Sequence, residues 1–420
     1  MVSGPILARM LGLEGRGQLA ALILWPIVIA QLGSLGLPLA ITYFIAQRRA
    51  SVRSITRAAL SFAIPQTLLL MALHGAVLLL VLRGESSSLR LAGIATMAIV
   101  PAFLAREYGL AMLQGQQRFA VFNTLRMLPT LVYAGGVATL FVVDASSILA
   151  VVLVMITANT ALGGITLLAG ILAAGGADTA AGPANLREML RFGLRGLFGS
   201  VSPIESFRLD QMVIAIFLTP AALGLYVVGL AFMNLPRFIA QGIGMVAYPS
   251  VASQEDESAA RRSMWRFLSA TIVMSGSVAI LLALAAGWLV PQFFGDEFKG
   301  AIPITQILLI GVIFTSARRA LVEGMRGRGH PTAGTIAEVV AWFWLAPALV
   351  VAAPLWGAIG VAGALSSSYA FSFGVLLIVT ARLGEMPSLR LLPVSLRTLG
   401  KRAGFLSAAK VAVATEDDPW

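Results

Sequence analysis

Apolar runs long enough to cross a bilayer follow one another down this chain, and no other feature narrows its possible folds so far. A spanning helix needs about 20 mostly apolar residues. Such runs lie at 19–46, 58–82, 91–114, 119–142 and 146–174, then as two runs joined at Thr219–Ala221, then at 265–290, 301–324, 332–353 and 355–381. That gives eleven full spans, preceded by a fragment, Val2–Leu13, too short to cross. Soluble domains carry about 25% charged residues; here 12% are charged, 58% are hydrophobic and the mean hydropathy is +0.88. The chain therefore reads as an all-α polytopic membrane protein.

A net charge of +11 would suit a nucleic-acid partner in a soluble chain, but its distribution points to a membrane instead. Of the 30 Lys and Arg residues, nineteen fall in alternate loops and the tail, among them Arg48, Arg53, Arg57, Arg118, Arg187, Arg261, Arg326, Lys401 and Lys410. The opposite loops hold four (Arg16, Arg83, Arg90 and Lys299), and seven lie inside apolar runs. Positive loops stay on the cytoplasmic side, so the C-terminus is expected in the cytoplasm. There are no cysteines, which excludes disulfides and thiolate chemistry, and the two histidines, His74 and His330, are far apart. No metal and no cofactor are expected.

The two halves resemble each other. The segment from Gly17, GQLAALILWPIVIAQLG, aligns with GLYVVGLAFMNLPRFIA from Gly224, an offset of 224 − 17 = 207. Farther on, Arg106 falls on Arg318 and Gly115 on Gly327, both at an offset of 212. Repeated offsets predict a duplicated six-span unit. An even number of spans keeps both copies in one orientation, so the prediction is two six-helix lobes related by a pseudo-two-fold along the membrane normal. The small, flexible Gly175–Pro183 segment is the expected boundary. The expected division is 1–174 for an N-terminal lobe of spans one to six and 175–195 for a linker and basic amphipathic lead-in. The segment 196–382 forms a C-terminal lobe of spans seven to twelve, and 383–420 a basic cytoplasmic tail against anionic lipid. The first helix is truncated in this scheme, and a misassigned start codon is the expected reason. The sequence Glu14-Gly15-Arg16-Gly17 reads as the turn after it.

Charges inside the central runs mark the candidate site. Glu205, Arg208 and Asp210 lie in the seventh span and Arg237 in the eighth. A charge at mid-bilayer costs roughly 2.5–3.5 kcal/mol on insertion scales, so it faces a bundle interior or a wet cavity. Glu205 and Arg208 are three apart and share a helix face, whereas Asp210 points away from both toward another partner. Arginine is always charged and binds phosphate oxygens bidentately. Arg208 and Arg237 are therefore candidate anion ligands, with Glu205 orienting Arg208 or coupling to a cation; the competing reading is an internal ion pair that fixes packing. Arg106 and Arg318, at matched depths, and Asp210 are secondary candidates. Arg126 and Glu338, early in their spans, read as anchors, and Gly357, Gly360 and Gly363 as a close helix–helix approach.

Several motifs resemble the multidrug/oligosaccharidyl-lipid/polysaccharide flippase superfamily, in particular its oligosaccharide-lipid flippases. They are LGLEGRGQLA near the start, LREMLRFGL before the seventh span, LDQMVIAIFLTPAALGLYVVG across the seventh and eighth, FFGDEFKGAIPITQILLIG entering the tenth, and GRGHP before the eleventh. The resemblance implies translocation of a polyprenyl-diphosphate-linked oligosaccharide for surface polysaccharides, by alternating access of two lobes. It also implies a cavity lined by spans one, two, seven and eight, and possible coupling to H+ or Na+. A multidrug antiporter of the same superfamily is the first alternative, but it would favour carboxylates, and the buried set is seven arginines against five acids. A membrane polysaccharide polymerase or ligase is the second. Such an enzyme needs a catalytic constellation on a large outer loop, and the outer loops are very short.

Overall fold

The computed structural model describes residues 3–48, 50–173, 184–200, 208–330 and 332–386. Every regular element among them is helical, and nine helices are long and apolar enough to cross a membrane. The N-terminal half contains α1 (Ser3–Gly33), α2 (Leu37–Ala46), α3 (Val52–Val81), α4 (Ser87–Ala95), α5 (Ile99–Gly115), α6 (Phe119–Val142) and α7 (Ile148–Ala173). The C-terminal half contains α8 (Leu186–Ser200), α9 (Leu209–Phe217), α10 (Pro220–Ala252), α11 (Glu257–Phe294), α12 (Ala301–Gly327) and α13 (Thr332–Arg382).

Two of these elements are broken by a glycine. A straight 51-residue α13 would be about 77 Å long, more than twice the hydrocarbon thickness. It reverses at Gly357, whose φ of 56° is open to glycine and strained for other residues. Beyond the turn, Ser368 Oγ donates to Ala341 O and Ser372 Oγ to Ala337 O, the register of an antiparallel hairpin. Gly357 is thus a turn between spans eleven and twelve, not a packing glycine as the sequence suggested. Gly360 does pack closely, since a Cβ there would sit 2.3 Å from Ala352 O. The first helix breaks at Gly12 (φ 69°, ψ −177°), leaving Ser3–Leu11 as the truncated piece. Glu14–Gly17, expected to be the turn, is helical; the break lies before it because Gly12 adopts the left-handed φ. The second span breaks again at Leu35 and Gly36, both at positive φ, before α2.

The duplication is visible in the packing. A Cβ on Gly115 would meet Ile45 Cβ at 2.8 Å and Thr42 O at 3.0 Å; one on Gly327 would meet Val251 Cβ at 2.8 Å and Tyr248 O at 3.0 Å. The same close crossing thus occurs in both lobes. The lobes meet each other along α1 and α10. A Cβ on Gly17 would sit 1.7 Å from Pro220 O, and one on Gly224 2.5 Å from Leu13 O. Leu13 and Pro220, like Gly17 and Gly224, are 207 apart. Residue i of one copy touches residue j of the other and the reverse, which is the mark of a two-fold contact.

This seam lies on the face opposite the basic loops. There Arg9 donates to the carbonyl oxygens of Gln292 and Phe293 at the end of α11. Orphan carbonyls at a helix C-terminus are natural partners for a cation. Ala8 and Leu13 complete an apolar cluster with Val228, Val290, Phe294 and Phe298. At the other face, α8 stands against α2 and α3. Ala184 N donates to Ser54 Oγ (2.6 Å), Met189 is buried and Phe192 stacks on Tyr43 at 4.3 Å. Its basic residues Arg187, Arg191 and Arg195 stay exposed. On the same face Arg328 binds Glu385 through two bonds (3.0 and 2.8 Å), fastening the end of α13 to the end of α12.

Candidate functional site

Beneath the seam, between the lobes, lies a cavity of about 320 Å³. Its lining includes Arg16 from α1, Arg208, Asp210 and Gln211 at the start of α9, Asn234 and Arg237 from α10, and Tyr369 from α13. It draws on spans two, seven, eight and twelve; the truncated first span contributes none of the lining residues.

Arg208 lines the cavity from the N-terminal end of α9. It caps α9 in the left-handed region (φ 47°, ψ 42°), a conformation costing an L-residue on the order of 1 kcal/mol. Such strain recurs at functional sites. The first turn of α9 opens on the same space, so its amide ends add partial positive charge. Asp210 is buried, and its carboxylate accepts from Tyr226 Oη at 2.7 Å. Arg237, farther along α10, donates to Tyr369 Oη at 2.9 Å and stands over that ring. Arg16 Nε is buried without a hydrogen-bond partner. Among the described residues, three guanidinium groups thus face one carboxylate that a tyrosine already holds. One arginine comes from the N-terminal lobe and two from the C-terminal lobe. The arrangement suits a polyanion that touches both lobes at once. Among the described residues no cluster of His, Asp or Glu has the geometry to hold a metal ion.

The sequence-selected residues divide clearly. Arg208, Arg237 and Asp210 share the cavity. Glu205 lies outside the described residues. Arg318 is buried in an ion pair with Glu338, away from the cavity, and Arg106 pairs with Glu107 at 3.1 Å. Arg16, Tyr226, Asn234 and Tyr369 were not singled out from sequence. Flanking glycines make Arg16 read as an outer-loop residue, and the tyrosines blend into apolar runs. Asn234 alone carried a readable signal, a polar side chain three residues before Arg237 in an otherwise apolar stretch.

Comparison with known proteins agrees with this architecture. A search of curated protein sequences finds no match. Among solved structures, the chain is similar to the lipid II flippase MurJ in an inward closed conformation, with 12% identity, 99% of this chain and 92% of that one covered, and a TM-score of 0.68. It is also similar to an inward-facing multidrug resistance transporter of the MATE family of the MOP superfamily, with 11% identity, coverage of 92% and 95%, and a TM-score of 0.71. A third match is the MATE multidrug transporter DinF-BH, with 15% identity, coverage of 91% and 90%, and a TM-score of 0.61. At such identities the likeness establishes the fold alone, the two-lobed fold of MOP transporters and flippases. The family model described as "Polysaccharide biosynthesis protein" matches residues 6–303, most of the chain. The chain therefore belongs to the family described as polysaccharide biosynthesis protein.

Proposed function

We propose that this protein flips a polyprenyl-diphosphate-linked oligosaccharide across the cytoplasmic membrane of a bacterium for surface polysaccharide synthesis. The carrying observation is the cavity charge among the described residues: three arginines from two lobes against one hydrogen-bonded carboxylate. A cationic drug would meet repulsion there, whereas a diphosphate would meet complementary donors. Arg208 and Arg237 hold the diphosphate from the C-terminal lobe and Arg16 from the N-terminal lobe. The glycan occupies the hydrated space between them. The basic loops and the C-terminus face the cytoplasm in this reading, so the closed seam is on the outer side and the cavity is loaded from within.

Reconstitution tests the proposal. Arg208→Ala and Arg237→Ala are each expected to reduce flipping of a polyprenyl-diphosphate-linked sugar in proteoliposomes at least tenfold, because a charge-assisted hydrogen bond contributes about 1.5–3 kcal/mol. Both variants should still fold and insert. Unchanged flux in both would remove these residues from the site. The same vesicles, with and without H+ or Na+ gradients, test cation coupling through Glu205 or Asp210; flux that ignores both gradients rejects it. Drug efflux with no sugar-lipid flux would favour the antiporter reading.

A further inference from the structure

LGLEGRGQLA, the motif near the start of the chain, turns residues toward three faces of α1. Leu13 and Gly17 meet α10 at the seam, and Arg16 lines the cavity between the lobes. At about 3.6 residues per turn, Glu14, Gly15 and Gln18 share the remaining face. There they line a second cavity, of about 550 Å³, inside the N-terminal lobe. Its other walls are Ser86, Ser88 and Leu89 at the start of α4 and residues 146–149 around the start of α7. It lies on the face opposite the basic loops, and Arg16 is not among its lining residues.

The floor of this cavity is apolar and fixed by packing. Leu11, Leu89, Ile148 and Leu149 belong to one cluster with Leu7, Leu22 and Val151 beneath them. One wall is set by the cap of α4: Ser86 Oγ accepts from Leu89 N and lies 3.1 Å from Ser88 Oγ. Around the floor stand a carboxylate, an amide and four hydroxyls, from Glu14, Gln18 and the serines at 86, 88, 146 and 147. Among the described residues, the side chains of Glu14, Gln18, Ser146 and Ser147 enter no hydrogen bond or ion pair.

That inventory selects a class of ligand. An ionised carboxylate only accepts, whereas hydroxyls and the amide both donate and accept. Such a set pairs with the hydroxyls of a neutral sugar, while the leucines and Ile148 meet its C–H face. Apolar walls with a few convergent polar groups are the usual form of a small-molecule site. The two helix N-termini would draw an anion, but Glu14 opposes one, and among the described residues no Arg or Lys lines the cavity. An organic cation would find a single carboxylate and no aromatic ring.

We propose that this cavity is a sugar site, which holds a neutral unit of the glycan on the outer side after translocation. The source of the sugar rests on the reading of the cargo as a lipid-linked oligosaccharide. One helix diameter, about 10–12 Å, separates the cavity from the seam, so a short glycan leaving between α1 and α10 reaches it.

Binding is measured by saturation-transfer NMR with methyl glucoside, methyl galactoside and methyl N-acetylglucosaminide. The protein is held in phosphatidylcholine nanodiscs, which contain no sugar-headed detergent. At least one glycoside should bind the unaltered protein. Glu14→Ala should weaken that binding about tenfold, the scale of one charge-assisted hydrogen bond. Ser88→Phe, which fills the cavity from another helix, should abolish it and serves as the test if Glu14→Ala fails to fold. Arg208→Ala should leave it unchanged, because that residue lines the other cavity. An unaltered protein that binds none of the glycosides would overturn the proposal. So would binding that survives both Glu14→Ala and Ser88→Phe, binding lost in Arg208→Ala, or a glycoside displaced by inorganic phosphate. The readout needs no flux. A protein that binds glycoside yet flips no sugar lipid would refute the proposed function and leave the sugar site standing. Normal flipping without glycoside binding would refute the site alone.

Discussion

Among the described residues Asp210 is the only carboxylate lining the cavity between the lobes, and Tyr226 decides how it sits there. Removing that hydroxyl leaves a buried charge one donor short, which costs about 1.5–3 kcal/mol. Tyr226→Phe is therefore expected to lower the unfolding midpoint in detergent, and Tyr226→Phe with Asp210→Asn to lower it by less than the two single changes summed. Strict additivity would mean that the 2.7 Å bond contributes nothing. The sequence revealed Arg208 and Arg237 because a charge inside an apolar run has few explanations. It concealed Arg16, whose flanking glycines suggest a turn, although the backbone there stays helical. It concealed Tyr226 and Tyr369 as well, since a tyrosine in such a run reads as one more bulky apolar residue until its hydroxyl is placed.

At the level of helices, the seam between α1 and α10 is main chain against main chain. Gly17→Val places atoms where Pro220 O already lies, 1.7 Å from an ideal Cβ. The lobes should then be held apart at that face. Gly17→Val is expected to insert normally and to lose transport, while Gly164→Ala, with nothing within 4 Å of its Cβ, should behave as the unaltered protein. Transport by Gly17→Val at the normal rate would show that the seam is not needed. The spans themselves were readable, because hydropathy reports length and burial in lipid. Their breaks are located less closely. The sequence puts the boundary between spans eleven and twelve at 353–355, and the turn is made at Gly357; the positive-φ Gly12 breaks the chain ahead of the expected turn at Glu14–Gly17.

For the molecule as a whole, the offsets of 207 and 212 carried the most information. They foretold two copies in one orientation, and the reciprocal contacts of Leu13 with Gly224 and Pro220 with Gly17 are how that symmetry looks in three dimensions. They did not foretell which face would be closed, since that depends on the state of the lobes rather than on their duplication. The absence of cysteine makes the closure directly measurable. Ala8→Cys combined with Phe294→Cys, members of one apolar cluster that joins the lobes, should cross-link on oxidation, halt transport and recover on reduction. A cross-linked protein that still transports would mean the lobes need not part there. The turns on this face have one more consequence. Between Phe294 and Ala301 the link is six residues, between Phe217 and Pro220 it is two, and at Gly357 the reversal is made at a single glycine. On the proposed orientation, an antibody or protease arriving from outside finds almost no handle on this face. On that orientation an epitope for labelling intact cells has to be inserted, and Gly84, with open space around its Cβ, is a place that tolerates one.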